Sequence, residues 1–262
     1  MEHKANAIEK TLEILKCFIP YNEEMATFEI AGRLGFHKAT TSRILRTLAR
    51  NGFLRQNRKT KKFSLGPVVM ELGRAVKASL DSNVVHIAKP YVDALRDRLG
   101  ETITLEVLSG THTFMAYIAE GPQLVRLAGR IGDIVPFNAA AGARAILAFS
   151  PPDLVESLLD TELQPITRNT ITDRDELLRN LQDVRERGVS FDHEEVAEGT
   201  CAIGAPIFNH EGLPIAAVIV AGPPQRISFD MNSEMVIALK ETAAKISAAL
   251  MYDEEKVKGE SG

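Results

Sequence analysis

The sequence has few cysteines and no long apolar run. Its 262 residues include only Cys17 and Cys201, so neither a disulfide framework nor a four-ligand metal site can be assembled from cysteine, and both thiols are expected to be reduced. No run approaches the roughly 18 apolar residues that span a bilayer, and the first residues alternate charged with apolar side chains instead of forming a secretory signal. We therefore expect a cytoplasmic protein without a membrane partner.

Fingerprints of nucleotide cofactors and of catalysis are also missing. The glycines of GDIVPFNAAAGA, residues 132–143, have the wrong spacing for a P-loop or a dinucleotide-binding turn. Cys201 lacks the cation-rich surroundings that would lower its thiol pKa, so activation by His193 or His210 is not expected. The sequence DHEE at residues 192–195 could supply a metal site or an acid–base pair, but successive strand residues alternate faces and cannot all converge. We expect no metal, no cofactor and no catalytic residue.

Acidic side chains are absent from residues 37–66, which contain nine Lys or Arg although the whole chain has a formal net charge of −4. Residues 1–80 hold 15 basic and 7 acidic side chains, net +8, whereas residues 81–262 hold 16 and 28, net −12. A solvated surface is the ordinary explanation of a charge run. The asymmetry between the two parts nevertheless predicts two modules with different partners.

Apolar residues at helical spacing predict three helices in the basic module. The first has an apolar stripe from Ile8 to Ile19 and ends at Pro20, and the second begins at Thr27 as N-cap and ends at Gly35. A short turn leads to the third helix. Its core stripe consists of Thr41, Ile44, Leu45 and Leu48.

Two helices joined by a short turn predict a helix-turn-helix, whose second helix can enter a major groove about 12 Å wide. Small residues on its outer face let the backbone approach base edges, and arginines reach guanine or phosphate. A hairpin at residues 53–65 follows, with a cationic tip that would lie on the phosphate backbone and release counterions. The predicted DNA-contacting residues are Lys38, Ala39, Thr40, Ser42, Arg43, Arg46 and Thr47 on the helix, and Arg58, Lys59, Lys61 and Lys62 on the hairpin.

The acidic module reads as mixed α and β, with a charged tail at residues 253–262 that is expected to fray. Because helices and strands do not alternate strictly, we expect an antiparallel sheet with flanking helices. The predicted helices cover residues 84–99, 141–149, 173–187 and 230–252. The predicted strands cover residues 102–108, 114–118, 124–130, 200–208 and 214–221.

Residues 139–143 lack side-chain bulk just before a predicted helix. Backbone N–H groups at the start of that helix could therefore receive an anionic or carbonyl ligand. Tight helix packing explains the same small residues equally well.

The ordered motifs together resemble IclR-type bacterial transcription regulators. GFHKATTSRILRTLARNGFLRQNRKTKKFSLGPVVMELG resembles the family's winged helix-turn-helix, and LGETITLEVLSG, RIGDIVPFNAAAGARAILAF, RERGVSFDHEEVAEGTCAIGAPIF and PIAAVIVAGP follow in the family's order. The resemblance covers residues 6–250. It implies an α+β chain with a winged helix-turn-helix at 1–66, a linker helix at 67–82 and a GAF-like or profilin-like effector-binding domain at 83–252.

The resemblance also implies partners. These are a pseudo-palindromic double-stranded DNA operator, a small-molecule effector, and further copies of the chain. In the family the linker helix and the first helix pair two subunits into a homodimer, and dimers commonly associate as a dimer of dimers. Packing of the linker stripe on its own effector domain is the alternative. Repression is the commoner mode in the family. An enzyme or metal-dependent sensor with an accessory nucleic-acid-binding head is the alternative. The chain departs from the family pattern in having His37 for proline, Thr41 for an aliphatic residue, and no glycine at the wing tip.

Ligand positions of the family correspond here to residues at the helix start, in one strand–loop segment and in the last strand. Ile219 and Ala221 stand where the family has serines, so we expect an effector with an apolar portion, a carboxylate or carbonyl compound, instead of a small, highly polar acid. Leu124, Leu127 and Val135 are expected to add apolar wall, although core packing explains them as well. The implied ligand-contacting residues are Ala141, Gly142, Asp192, Cys201, Ile219 and Ala221.

Overall fold

The computed structural model describes residues 6–19, 21–73, 84–124 and 129–259. The chain divides into two compact units, Met1–Ser79 and Leu80–Gly262. The division falls within the predicted linker, of which residues 67–73 are helical. The rest of that linker lies outside the described residues.

The N-terminal unit, here called the head, is a three-helix domain with a two-stranded wing. Its elements are α1 Ala7–Lys16, α2 Thr27–Leu34, α3 Lys38–Arg50, β1 Leu54–Gln56 and β2 Phe63–Leu65. The strands pair antiparallel with Leu54 opposite Leu65. The predicted hairpin is therefore confirmed. A bridge between Met25 and Phe63 joins the wing to the segment before α2.

The core of the head confirms the stripe predicted for α3, because Thr41, Ile44, Leu45 and Leu48 are all buried. The stripe predicted for α1 does not point inward. Ile14 is buried, whereas Ile8 is 72% and Leu12 52% exposed. The apolar face of α1 is therefore available for a partner.

The end of α2 was predicted correctly and its start was not. Gly35 ends the helix in the left-handed conformation, with φ 65°. The N-cap is Ala26 and not Thr27; its side chain makes no capping hydrogen bond, and the Glu29 carboxylate accepts the Ala26 N–H.

The C-terminal unit, here called the effector domain, has one six-stranded antiparallel sheet of order β5-β4-β3-β8-β7-β6. This confirms the predicted sheet type. Its strands are β3 Thr102–Ser109, β4 His112–Ala119, β5 Ile134–Val135, β6 Ser190–His193, β7 Cys201–Phe208 and β8 Pro214–Gly222. Its helices are α4 Val84–Leu99, α5 Ala141–Leu147, α6 Pro152–Leu159, α7 Arg174–Arg187 and α8 Glu234–Gly259.

Both faces of this sheet are covered. On β3, Ile103, Leu105 and Val107 pack with residues of α4 and α8 in the main core. Since strand side chains alternate, Thr104 and Glu106 face the opposite side, where α5 packs on small and aliphatic residues of β7 and β8. Polar residues of β3 are consequently buried.

The sequence analysis missed one helix of the effector domain. Helix α6 was not predicted, although its N-terminal Pro152 and its buried Val155 and Leu158 are typical of a short amphipathic helix. Helix α8 is described as far as Gly259, and the frayed tail expected at residues 253–262 stays a prediction. The strand predicted at residues 124–130 falls mostly outside the described residues.

Candidate functional site

The outer face of α3 carries cations and small residues as predicted. Because its apolar stripe is buried, Lys38, Ala39 and Arg43 are exposed. Within the described residues Arg43 forms no ion pair. Arg46 is also exposed, and its guanidinium donates to the Ser42 hydroxyl at 3.0 Å. Thr47 is exposed and Thr40 half-buried, so this face offers hydroxyls and unpaired positive charge.

The residue that replaces the family's proline starts α3. His37 is the N-cap, with φ −66° and ψ 128°, and its ring Nδ1 accepts the Ala39 N–H at 3.4 Å. At this position proline would fix φ, whereas here a long hydrogen bond from the Ala39 N–H to the His37 ring caps the helix start. Helix α3 begins at Lys38, directly after this cap.

The wing tip is cationic, and hydrogen bonds to Glu24 join it to the rest of the head. Arg58, Lys59 and Lys61 are exposed. The Glu24 carboxylate accepts from the Asn57 amide at 2.9 Å, which lowers the pKa of Glu24, and from the Thr60 hydroxyl at 3.1 Å.

One wing cation is already partnered, and another holds a costly backbone conformation. Lys62 pairs with Glu29 at 3.6 Å, so its charge is shared within the head. Lys61 has φ 59°, in the left-handed region that glycine occupies more easily. This is the consequence of a wing tip that lacks glycine.

In the effector domain, the start of α5 lies directly on the sheet. A Cβ on Gly204 would lie 2.7 Å from the Ala141 carbonyl carbon and 2.9 Å from the Gly142 nitrogen. Helix and strand therefore meet backbone to backbone. The small residues at 139–143 act in packing, which was one of the two explanations open from the sequence.

Glu106 also lies at the start of α5, and the sequence analysis did not identify it as a site residue. A Cβ on Gly142 would lie 2.2 Å from Glu106 Oε2 and 2.7 Å from Ile219 Cδ1. The Ala143 N–H donates to the Glu106 carboxyl. The chain's own carboxyl therefore lies at the start of α5, where the sequence had predicted a ligand carboxylate or carbonyl.

Burial dominates the electrostatics of this carboxyl. Burial, together with the smaller effect of the nearby Asp192 carboxyl, raises the pKa of Glu106 to about 8. Asp192 is itself buried, which raises its pKa to about 7, although its Oδ1 accepts the Glu195 N–H at 2.7 Å. Two carboxyls on one covered face of the sheet thus prefer the protonated form near neutral pH.

A buried ion pair lies beside them. Arg144 of α5 is fully buried and meets Glu195, with Nη1 2.7 Å from Oε2 and Nη2 3.0 Å from Oε1. Its Nη2 also donates to the Phe191 carbonyl at 2.5 Å. Glu195 is therefore occupied, and no group of three His, Cys, Asp or Glu in the described part of the chain is arranged to hold a metal.

The structure brings together five of the residues implied as ligand contacts and separates Cys201 from them. Cross-strand pairing aligns Asp192, Ala202 and Ala221 on the face covered by α5. Ala141, Gly142 and Ile219 lie on that same face. Cys201 packs in the main core on the opposite face, where burial raises its thiol pKa. A one-residue offset on a strand accounts for the difference.

The three residues expected as apolar wall have different positions. Val135 lines a cavity of about 250 Å³ together with Leu108, Ala143 and Ile146. Leu124 is 98% exposed, because it follows β4 in a surface segment, and here it forms no wall. Leu127 lies outside the described residues.

The described residues contain no helix long and apolar enough to cross a membrane.

Two family models match the chain: the IclR helix-turn-helix domain over residues 7–58 and the bacterial transcriptional regulator IclR C-terminal domain over residues 76–248.

Three known proteins illustrate these similarities. The chain is 32% identical to the HTH-type transcriptional regulator KipR of Bacillus subtilis over 96% of its own length and 100% of that protein. It is 28% identical to the HTH-type transcriptional repressor AllR of Escherichia coli, over 94% and 90% of the two chains. A crystal structure of an IclR homolog complexed with 4-hydroxybenzoate, from Microbacterium hydrocarbonoxydans, has a TM-score of 0.73 and 22% identity, covering 94% of this chain and 99% of that one.

Proposed function

The chain belongs to the IclR family of bacterial transcriptional regulators, and from this premise we propose that it is an effector-responsive repressor that binds a double-stranded DNA operator. The observation that carries the proposal is the outward face of α3, where Arg43, Arg46 and small residues are exposed above a buried apolar stripe. The cations of the wing tip extend this surface. Phosphates would neutralise both and release counterions.

The proposed assembly is a homodimer that associates into a dimer of dimers. Ile8 and Leu12 are large, apolar and exposed on α1, which supports a protein partner for that helix face. Two recognition helices spaced by roughly 34 Å would match the half-sites of a pseudo-palindromic operator.

The proposed effector is a small molecule with a carboxylate or carbonyl group and an apolar portion, bound where α5 meets the sheet. Aliphatic Ile219 and Ala221 in place of hydroxyl side chains support the apolar portion. The related fold that holds 4-hydroxybenzoate supports the size class. A raised thiol pKa at Cys201 argues against nucleophilic chemistry and for a binding domain without catalysis.

The effector acts on DNA by linkage. A ligand that binds two states of the repressor unequally shifts the balance between them, and operator affinity changes by the same factor by which DNA changes effector affinity.

The test is a shift assay with full-length protein and duplexes from its own upstream region, against scrambled duplexes of equal length. We expect binding to weaken steeply between about 50 and 200 mM salt, and a compound that raises the melting temperature to weaken it further. Equal binding to scrambled DNA, or no binding at low salt, would refute the proposal.

A second test addresses the effector site. Ile219→Ser should move the profile of stabilising compounds towards more polar ligands, because it restores a hydroxyl on the covered face. Ile219→Val, which keeps the site apolar, is the matched control. Identical profiles for both variants would remove Ile219 from the site.

A further inference from the structure

The face of the sheet under α5 contains buried polar atoms without partners. Within the described residues Glu106 Oε2, Thr104 Oγ1 and Ser190 Oγ have no hydrogen-bond partner, and each of these residues is at most 4% exposed. Unpaired buried polar atoms are costly, and each one points to a missing partner.

These atoms lie on neighbouring rows of the sheet. Cross-strand pairing places Thr104, Ile219, Gly204 and Ser190 in one row. Glu106 is the next residue on the same face of β3, and Asp192 is the next one on β6. Gly142, one of the implied ligand contacts, lies against the Glu106 carboxyl, and Ile219 lies close to the same glycine. Thr104 Oγ1 and Glu106 Oε2 therefore lie on one strand at the proposed effector site, whereas Ser190 Oγ lies three strands away on the same face.

The charges around this site are mainly negative. Asp192 acts on Glu106 from β6, and Asp192 in turn faces Glu195 and Arg144. Arg144 forms an ion pair with Glu195 and donates to the Phe191 carbonyl, although its Nε has no hydrogen-bond partner among the described residues. No Lys, Arg or His in that part of the chain pairs with Glu106. His193 adds no cation, since burial lowers the pKa of its imidazole.

We propose that Glu106 determines the specificity of the effector site, and that it selects an uncharged ligand with N–H donors, a carboxamide, over the corresponding carboxylate. This inference rests on the proposed function and narrows its effector class. A carboxamide can donate N–H to Glu106 Oε2 and accept from the hydroxyl of Thr104, which lies on the same face of β3. A carboxylate would add a negative charge beside Glu106, which lies near Asp192 and is paired with no cation in the described part of the chain.

The same argument gives a pH dependence. A carboxylate can bind only while Glu106 is protonated, and the pKa of Glu106 is about 8. Carboxylate affinity should therefore fall as the pH rises above about 8, whereas carboxamide affinity should change much less.

The experiment uses full-length protein and matched probe pairs: isobutyramide with isobutyrate, benzamide with benzoate, and 4-hydroxybenzamide with 4-hydroxybenzoate. Dissociation constants are measured by calorimetry at pH 6.5 and 9. We expect at least one carboxamide to bind wild-type protein about tenfold more tightly than its carboxylate at pH 9, and this ratio to shrink at pH 6.5. Wild-type measurements alone therefore test the proposal, even if a variant fails to fold.

Glu106→Gln removes the charge and retains the shape, and it should abolish the dependence of the ratio on pH. Glu162→Gln, which removes an exposed carboxyl of the same domain, is the matched control and should keep that dependence. The proposal is overturned if no carboxamide binds, if the carboxylates bind more tightly at pH 9, or if Glu106→Gln retains the wild-type pH dependence. Salt-sensitive operator binding is measured separately, so a failed repressor function is distinguishable from a failed assignment of Glu106.

Discussion

The helices α3 and α5 both carry small residues near their first turn, but they present them in opposite directions. In α3 the large apolar residues point into the head, so Ala39 and Ser42 lie towards solvent. In α5 every residue is buried, and Gly142 lies against the sheet. Small residues thus indicate close approach, and the surrounding apolar pattern decides whether a partner molecule or the protein itself approaches.

The two units also differ in where their charged side chains lie. The head keeps its cations on the surface, where Arg43 is exposed. The effector domain buries Arg144 with Glu195, and Glu106 near Asp192. Surface charge can act on DNA at little cost to stability, whereas buried charge must be paired or protonated.

The largest expected effect concerns the buried ion pair. Arg144→Met leaves Glu195 buried without its cation and should lower the free energy of unfolding by about 3–5 kcal/mol. Denaturant titration of the effector domain, followed by circular dichroism, measures the change.

The matched control is Arg98→Met, which removes one side of the exposed pairs with Glu234 and Glu241. We expect no resolvable change there. Equal effects of the two variants would contradict the contrast between buried and exposed charge.

A second prediction concerns pH and the stability of the effector domain. Folding raises the pKa of Glu106 from its ordinary value of 4.5 to about 8. Between these values the folded state holds a proton that the unfolded state releases, so stability falls as the pH rises, by at most about 1.4 kcal/mol per pH unit. Glu106→Gln should flatten this slope, and denaturant titrations from pH 5 to 9 compare the two proteins. Parallel curves would show that the carboxyl titrates normally.

A smaller change is expected at the DNA surface. Arg43→Ala should weaken operator binding by about 1–3 kcal/mol without changing the melting temperature. Lys16→Ala removes an exposed cation from α1 and should leave affinity nearly unchanged. Shift assays at fixed salt measure both, and similar losses would mean that only the net charge of the head matters.

The smallest effect belongs to the wing. Lys61→Gly should stabilise the head by up to about 1 kcal/mol, because glycine adopts φ 59° without the steric penalty of a side chain. Lys59→Gly removes the same charge from a residue without positive φ and should give no gain. The thermal transition of the head measures the difference, and its absence would show that Lys61 is not strained.

The head was largely predictable because local patterns specify it. The stripe from Thr41 to Leu48 identifies the buried side of α3, and charge identifies the other side. The direction of α1 was not predictable, since Ile8 and Ile14 both belong to plausible helical faces and only packing with α2 and α3 selects one.

The buried polar site was beyond local patterns. TITLEVL reads as a strand with one polar face, which normally faces water; only the cover supplied by α5 makes Glu106 a buried acid. Arg144 and Glu195 are 51 residues apart, and no spacing rule joins them. The position of Cys201 depended on strand register, where an error of one residue reverses the face.

The contact of Gly204 with Ala141 has a mechanical consequence. No side chain separates strand from helix at this point, so α5 cannot slide over β7 as packed side chains allow elsewhere. A displacement of the start of α5 would therefore also move β7 and its hairpin partner β8. A ligand that binds there would therefore displace the helix and the strand together.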